Sequence, residues 1–284
     1  MSTVSDEPVA PLFQGLFDDA SLFPPASTPL NQALRLHEGQ LRSRHAALVG
    51  SFVCASTRLT ELSDAVADGD SAELAVSLTV PGGPPQLADA LRSIAEHAPL
   101  RLAALELPVP AGELSQALED LSTVAVEHGC AVFVEIPAAD LTAAIADQLA
   151  GAGLGLKLRT GGTTTEAFPT DAVLAAAIAT AVRSGIGFKC TAGLHNAVAH
   201  RDPATGFAHH GFLNVLLAVH AAQRGSAAVE DELSARDPGA LARQVRGLSP
   251  EAVGTIRAQF RSIGSCSIDE PLADLQTLGL VSAA

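Results

Sequence analysis

The chain has 284 residues, 48% of them hydrophobic, and a formal charge of −14. That length and apolar content suit one large core and are short for two. The acidic balance argues against nucleic acid, whose binding rests on Lys and Arg neutralising phosphates. No segment reaches the roughly 20 apolar residues of a membrane span, since the longest run, Phe212 to Val219, is short and holds Asn214.

Residues 1–11 carry Asp6 and Glu7 and no apolar stretch, so they read as a disordered polar tail and not as a signal peptide. A single domain is expected over 12–284. Cys54, Cys130, Cys190 and Cys266 fall far apart without CxxC spacing, which suits packing thiols in a reducing cytoplasm. In chain order, eight short apolar runs begin near Leu12, Ala47, Glu73, Leu102, Ala131, Gly153, Ile186 and Arg261. Between them lie helical patterns such as Pro85 to His97, Glu113 to His128, Ala138 to Ala150 and Thr170 to Ser184. Eight βα units without a linker predict an α/β fold, a (β/α)8 TIM barrel. An open doubly wound sheet is the alternative, and it lacks its glycine-rich dinucleotide fingerprint here.

The seventh connection is long, about sixty residues over 196–259, where one helix suffices. Helical patterns fill it at Gly211 to Gln223, Ala227 to Arg236, Gly239 to Arg246 and Ser249 to Phe260, with Ser249-Pro250-Glu251 as a helix start. A helical insertion between strands seven and eight is therefore expected, and its apolar helices are compatible with a homo-oligomer.

Strand alternation places side chains at i and i+2 on one face. Gly155, Lys157 and Arg159 thus share a face opposite Leu154, Leu156 and Leu158, and Gly187, Lys189 and Thr191 oppose Ile186, Phe188 and Cys190. The same rule turns Ser77, Thr79, Glu106 and Glu135 inward. Two carboxylates and three cations then converge at the carboxyl ends of the strands, where barrels carry catalytic groups. Two inward ammonium groups side by side are costly to bury unless they have a chemical role.

At these residues the chain resembles the deoxyribose-phosphate aldolases, class I aldolases on a (β/α)8 barrel. Short motifs follow the family in order from Phe17 to Ser267. Phe17-Asp-Asp-Ala-Ser-Leu22 is similar to its first strand, Phe52-Val-Cys-Ala-Ser56 to its Val-Cys-Val stretch, and Val76 to Gly83 to its third strand and glycine turn. Leu105-Glu106 stands at the family's Val-Asp, Val132-Phe-Val-Glu135 resembles Val-Ile-Leu-Glu, and Lys157 to Gly161 resembles Lys-Thr-Ser-Thr-Gly. Lys189-Cys-Thr-Ala-Gly193 is similar to Lys-Ala-Ser-Gly-Gly, and Ile263-Gly-Ser-Cys-Ser267 to Ile-Gly-Thr-Ser-Ser. The resemblance implies that Lys157 forms a Schiff base, that Lys189 lowers its pKa as a neighbouring cation, and that Glu106 relays protons with Glu135 in support. It also implies a lyase acting on a small carbonyl substrate, with no cofactor, because the iminium is itself the electron sink. Asp19, Thr191, His195, Ser265 and Ser267 become candidate substrate-binding residues.

The departures shape the substrate. The family's fifth-strand Lys is Ala131 here, its catalytic Asp is Glu106, its sixth-strand Ser is Arg159, and Ala192 and His195 replace a Gly and an Arg. An inward Arg159 suits a carboxylate, so an acid is expected in place of the sugar phosphate. His195, His200, His209 and His210 cluster after the seventh strand in no spacing typical of zinc. They read as a lid or helix entry holding one general acid or base; the alternative is a metal-dependent barrel enzyme acting on a carboxylate substrate, in which they are ligands together with Glu106 and Glu135. A catalytically silent binding barrel is the reading from another class. Thr160 to Thr165 is either an anion cradle or a glycine turn, Asp269-Glu270-Pro271 reads as a helix start, and Asp18 and Asp19 point to different faces that parity alone does not assign. Cys266 falls near the mouth and reads first as a buried thiol.

Overall fold

The computed structural model of the chain describes residues 10–67, 73–97, 99–110 and 112–282. Eight parallel strands close into a barrel: β1 (Phe17–Asp19), β2 (Val49–Ala55), β3 (Leu74–Thr79), β4 (Leu100–Pro108), β5 (Ala131–Glu135), β6 (Gly155–Arg159), β7 (Phe188–Thr191) and, last in the chain, β10 (Phe260–Ser265). Each is hydrogen-bonded to its neighbours in chain order, and β10 lies between β7 and β1. The expected (β/α)8 barrel is the fold. Among the described residues no helix is long and apolar enough to cross a membrane.

The expected helices form at Leu87–Ala95, Leu114–His128, Ala143–Gly151 and Asp171–Arg183. Local chemistry sets their ends. Thr142 and Thr170 accept hydrogen bonds from the N–H groups of Ile145 and Val173 as N-caps, and Gly129 takes the left-handed conformation, φ 58°, that closes Leu114–His128. The start of the barrel lies later than expected. Leu12 belongs to a four-residue helix, Ala10–Phe13, whose Leu12 and Phe13 are buried, and β1 begins only at Phe17. Residues 1–9 of the expected tail lie outside the described residues, and Ala10 and Pro11 open that helix.

The insertion carries all four expected helices, at Phe212–Gln223, Val229–Ser234, Pro238–Arg246 and Pro250–Gln259. It also carries a hairpin that apolar periodicity does not announce, β8 (His200–Arg201) paired with β9 (Ala208–His209). Phe212–Gln223 contacts Asp171–Arg183 and Pro250–Gln259, so it occupies the place of the single helix that usually follows the seventh strand. It is apolar nearly all round because it is covered nearly all round. Its Phe212, Leu213, Val215, Leu216 and Val219 are fully buried, each side chain contributing roughly 1.5–3 kcal/mol. The interrupting Asn214 is satisfied: Oδ1 accepts from the Ala199 N–H, and Nδ2 donates to the carbonyls of Glu232 and Ala235. One buried amide thereby ties the segment after β7, the first inserted helix and the second.

Candidate active site

Register brings the charged residues together. Glu135 on β5, Lys157 on β6 and Lys189 on β7 are consecutive partners across the sheet, and Thr79 on β3 pairs with Glu106 on β4. The Glu106 carboxylate lies between the two ammonium groups, with Lys157 Nζ 2.8 Å from Oε2 and Lys189 Nζ 2.6 Å from Oε1. Lys157 also reaches Glu135 Oε2 at 3.0 Å, whose other oxygen accepts from Arg159 Nε at 3.1 Å. Lys189 reaches Asp18 Oδ2 at 2.6 Å. The result is an alternating chain, Asp18, Lys189, Glu106, Lys157, Glu135, Arg159, three negative charges and three positive.

This pairing makes the burial tolerable, because a buried ion is stable only when paired and hydrogen-bonded. Burial pushes the Glu106 carboxyl up, but the charges of Lys157 and Lys189 outweigh it and hold the group well below the ordinary carboxylate range. Burial alone pushes Lys189 down, and Asp18 with Glu106 reverse this, so its ammonium form is held above the ordinary lysine range. Glu135 is lowered for the same reason as Glu106, with Lys157 and Arg159 overcoming burial. Lys189 is therefore a fixed cation, compensated on both sides. It meets Lys157 through the Glu106 carboxylate that both ammonium groups share.

Above the network opens a cavity of about 520 Å³. Lys157, Glu106 and Glu135 border it, Thr79, Thr191 and Arg159 line its wall, and Phe23, Pro24, Pro25 and Phe168 enclose it with His195 and His209. Lys189 and Asp18 do not border it. Arg159 is about half exposed, with only its Nε committed to Glu135. Among the described residues Thr79 Oγ1 and Ser21 Oγ are the buried side-chain atoms without a hydrogen-bond partner. Ser77 and Thr79 both turn inward as alternation requires, and Ser77 Oγ donates to Glu106.

The loops after β6 and β7 are locked together. Thr160 Oγ1 donates to the Ala192 carbonyl at 2.5 Å. Gly193 has φ +80°, and a Cβ there would lie 2.7 Å from the Thr160 carbonyl oxygen, so only glycine fits. This contact fixes Arg159 beside its register partner Thr191.

Some candidates lie elsewhere. Asp19 faces away from the cavity: its carboxylate accepts from the Ser21 N–H and meets His37 Nδ1 at 3.1 Å, while Asp18 is the inward member of the pair. Ser265 and Ser267 do not border the cavity either; Ser265 Oγ donates to the Ser267 carbonyl, and Gly264 and Cys266 are the inward residues of that strand end. The four histidines separate. His200 and His209 stack across the hairpin at 5.1 Å, His210 meets the Pro169 carbonyl and Asp171, and His195 meets Glu270 and Cys266. Among the described residues no three His, Cys, Asp or Glu side chains group as a metal site would require.

One sequence signal points to the site without any structure. Lys157 and Lys189 are the only lysines in the chain, against 15 arginines. A chain that otherwise places arginine at every basic position keeps its two ε-amines for adjacent strands, one of them at the cavity. A scan against protein-family models and a search of curated proteins each returned no match.

Proposed function

We propose that this chain is a carbonyl-transforming (β/α)8 enzyme, a lyase of class I aldolase type, in which Lys157 forms a Schiff base with a small carboxylate-bearing carbonyl compound. The observation that carries the reading is Lys157 itself, a buried amine bordering a 520 Å³ cavity and held between two carboxylates. An amine must be neutral to attack, so a proton has to leave Lys157 first. Glu106 is a poor acceptor, since both its oxygens are bound by ammonium groups and Ser77. Glu135 is the better relay because it is partly exposed and shares the proton-bearing nitrogen.

The free amine adds to the carbonyl carbon, water leaves, and the iminium accepts the electron pair when the Cα–Cβ bond breaks, while the β-hydroxyl gives up its proton and the β-carbon departs as an aldehyde. Protonation of the enamine and hydrolysis return Lys157. Arg159, committed to Glu135 only through Nε, offers its remaining N–H groups to a substrate carboxylate, and the Thr79 hydroxyl stands in the same wall.

The test is borohydride trapping with glyoxylate, pyruvate and short aldehydes, followed by peptide mass mapping. With only two lysines in the chain the result is unambiguous: an adduct on Lys157 that is absent from Lys157→Arg supports the reading. No adduct with any carbonyl, or one confined to the N-terminal amine, removes it.

A further inference from the structure

We propose that Cys266, His195 and Glu270 form a second covalent site in the same cavity, a thiol nucleophile served by an imidazole base that a carboxylate orients, which takes an aldehyde reversibly as a hemithioacetal. This stands apart from the Schiff-base reading and either can fail alone.

Three segments supply the groups. His195 follows β7, Cys266 follows β10, and Glu270 lies in the first turn of the helix Asp269–Thr277. Cys266 Sγ lies 3.5 Å from His195 Nε2 and 3.8 Å from Nδ1, and Nδ1 lies 3.1 Å from Glu270 Oε2. The sulfur thus lies close to both ring nitrogens, nearer Nε2, and the carboxylate meets Nδ1, which brings together the three group types that thiol catalysis uses. Both Cys266 and His195 border the cavity. The other three thiols do not: Cys54, Cys130 and Cys190 are buried, and Cys266 alone is partly accessible.

The environment explains why a base is needed. Burial raises the Cys266 thiol above its ordinary range, and Glu270 and Asp19 add to this, while the Ala26 backbone hydrogen bond only partly opposes them. The thiol is neutral at rest, so its proton must leave as the carbon–sulfur bond forms. His195 accepts it at Nε2. Sulfur bonds to the carbonyl carbon, the carbonyl π pair moves to oxygen, and that oxygen takes the proton back from His195. The addition is balanced without oxidant or leaving group. Glu270, being largely exposed, contributes little as an ion pair and serves to fix the ring. The charged groups facing His195 are Glu270 from the last helix and His209 from the hairpin; Asp19 and Glu270 face the thiol.

The experiment is alkylation of the folded chain by iodoacetamide, with each cysteine followed by mass spectrometry. A single modification at Cys266 is expected, because the other three thiols are buried. His195→Gln should slow it at least tenfold at neutral pH, with a rate that climbs with pH as the unassisted thiol ionises. Acetaldehyde should slow the alkylation in the wild-type chain and equally in Lys157→Met, where no Schiff base can form at that position. Protection that disappears in Lys157→Met would assign it to a lysine adduct filling the cavity and overturn the proposal. So would equal rates and pH profiles in wild type and His195→Gln, a comparison that needs no lysine variant.

Discussion

Replacing Lys189 by Met removes the cation at the centre of the charge network while keeping most of its volume. Breaking a buried ion pair by deleting one partner costs roughly 3–5 kcal/mol. The low end applies here, because both orphaned carboxylates keep other partners. Asp18 retains the Ser51 N–H and the hydroxyls of Ser51 and Ser262, and Glu106 retains Lys157 and Ser77. A loss of about 3 kcal/mol corresponds to a fall in Tm of about 6 °C, at roughly 2 °C per kcal/mol for a chain of this size. The chain has no Trp or Tyr, so urea unfolding is followed by far-ultraviolet circular dichroism. Adding Asp18→Asn should restore part of the loss, since the charge left unpaired by Lys189→Met is then gone, and the cycle should show a coupling of about 1–3 kcal/mol. Strict additivity of the two substitutions, or a Lys189→Met chain as stable as wild type, would refute the assignment of Lys189 as a compensated structural cation.

Stability should fall on both sides of neutrality. Glu106 and Glu135 lie below their ordinary value of 4.5 in the folded chain, so their contribution is complete above that pH and fades as pH falls toward their folded values; Lys189 lies above 10.5, so its contribution is complete below that pH and fades as pH rises through its folded value. Urea midpoints measured from pH 3 to 11 check both limbs. Arg159→Gln should slow borohydride trapping of glyoxylate by about tenfold or more, in keeping with the roughly 1.5–3 kcal/mol of a charged hydrogen bond, and leave trapping of acetaldehyde nearly unchanged; equal slowing of both probes would deny Arg159 its carboxylate role. Gly193→Ala should cost about 1–3 kcal/mol through the left-handed backbone, with further loss from the contact at 2.7 Å with Thr160, read as a lower urea midpoint.

What the sequence made legible depended on how many residues shared one pattern. β6 and β7 show their alternation clearly, because Leu156, Leu158, Phe188 and Cys190 mark the outer face and leave the lysines no other side. The inserted helices were readable from their caps, as at Ser249, whose hydroxyl accepts from the Ala252 N–H. β1 has three residues, two of them aspartates, so nothing in its own sequence decides between Asp18 and Asp19. Phe17 decides it in space, by packing on Phe212 more than 190 residues away at a ring distance of 5.3 Å. At the end of β10 the family likeness drew attention to the serines, whereas alternation from the outward Ile263 puts Gly264 and Cys266 inside. The hairpin β8–β9 escaped because two-residue strands have no period to detect. Most hidden of all was the sharing of Glu106 by both lysines, which follows from inter-strand register and from no local motif.

The network has a property that bears on the reaction. Its six groups sum to zero charge with Lys157 as an ammonium, and a protonated iminium at the same nitrogen carries the same single positive charge. In the proposed reaction, forming the Schiff base would therefore leave the buried electrostatics balanced, with Glu106 and Glu135 facing the adduct as they face the ammonium. Passing the Lys157 proton to Glu135 also keeps the sum at zero, so in the proposed reaction the free amine would form without leaving a carboxylate uncompensated. A substrate carboxylate on Arg159, as proposed, would ease that step, because it would compete with Glu135 for the guanidinium and leave Glu135 a stronger proton acceptor at Lys157. Under the proposed function, substrate binding at the rim and nucleophile activation at the floor would thus be linked through a single side chain, Glu135, the one carboxylate of the network that touches both cations bordering the cavity.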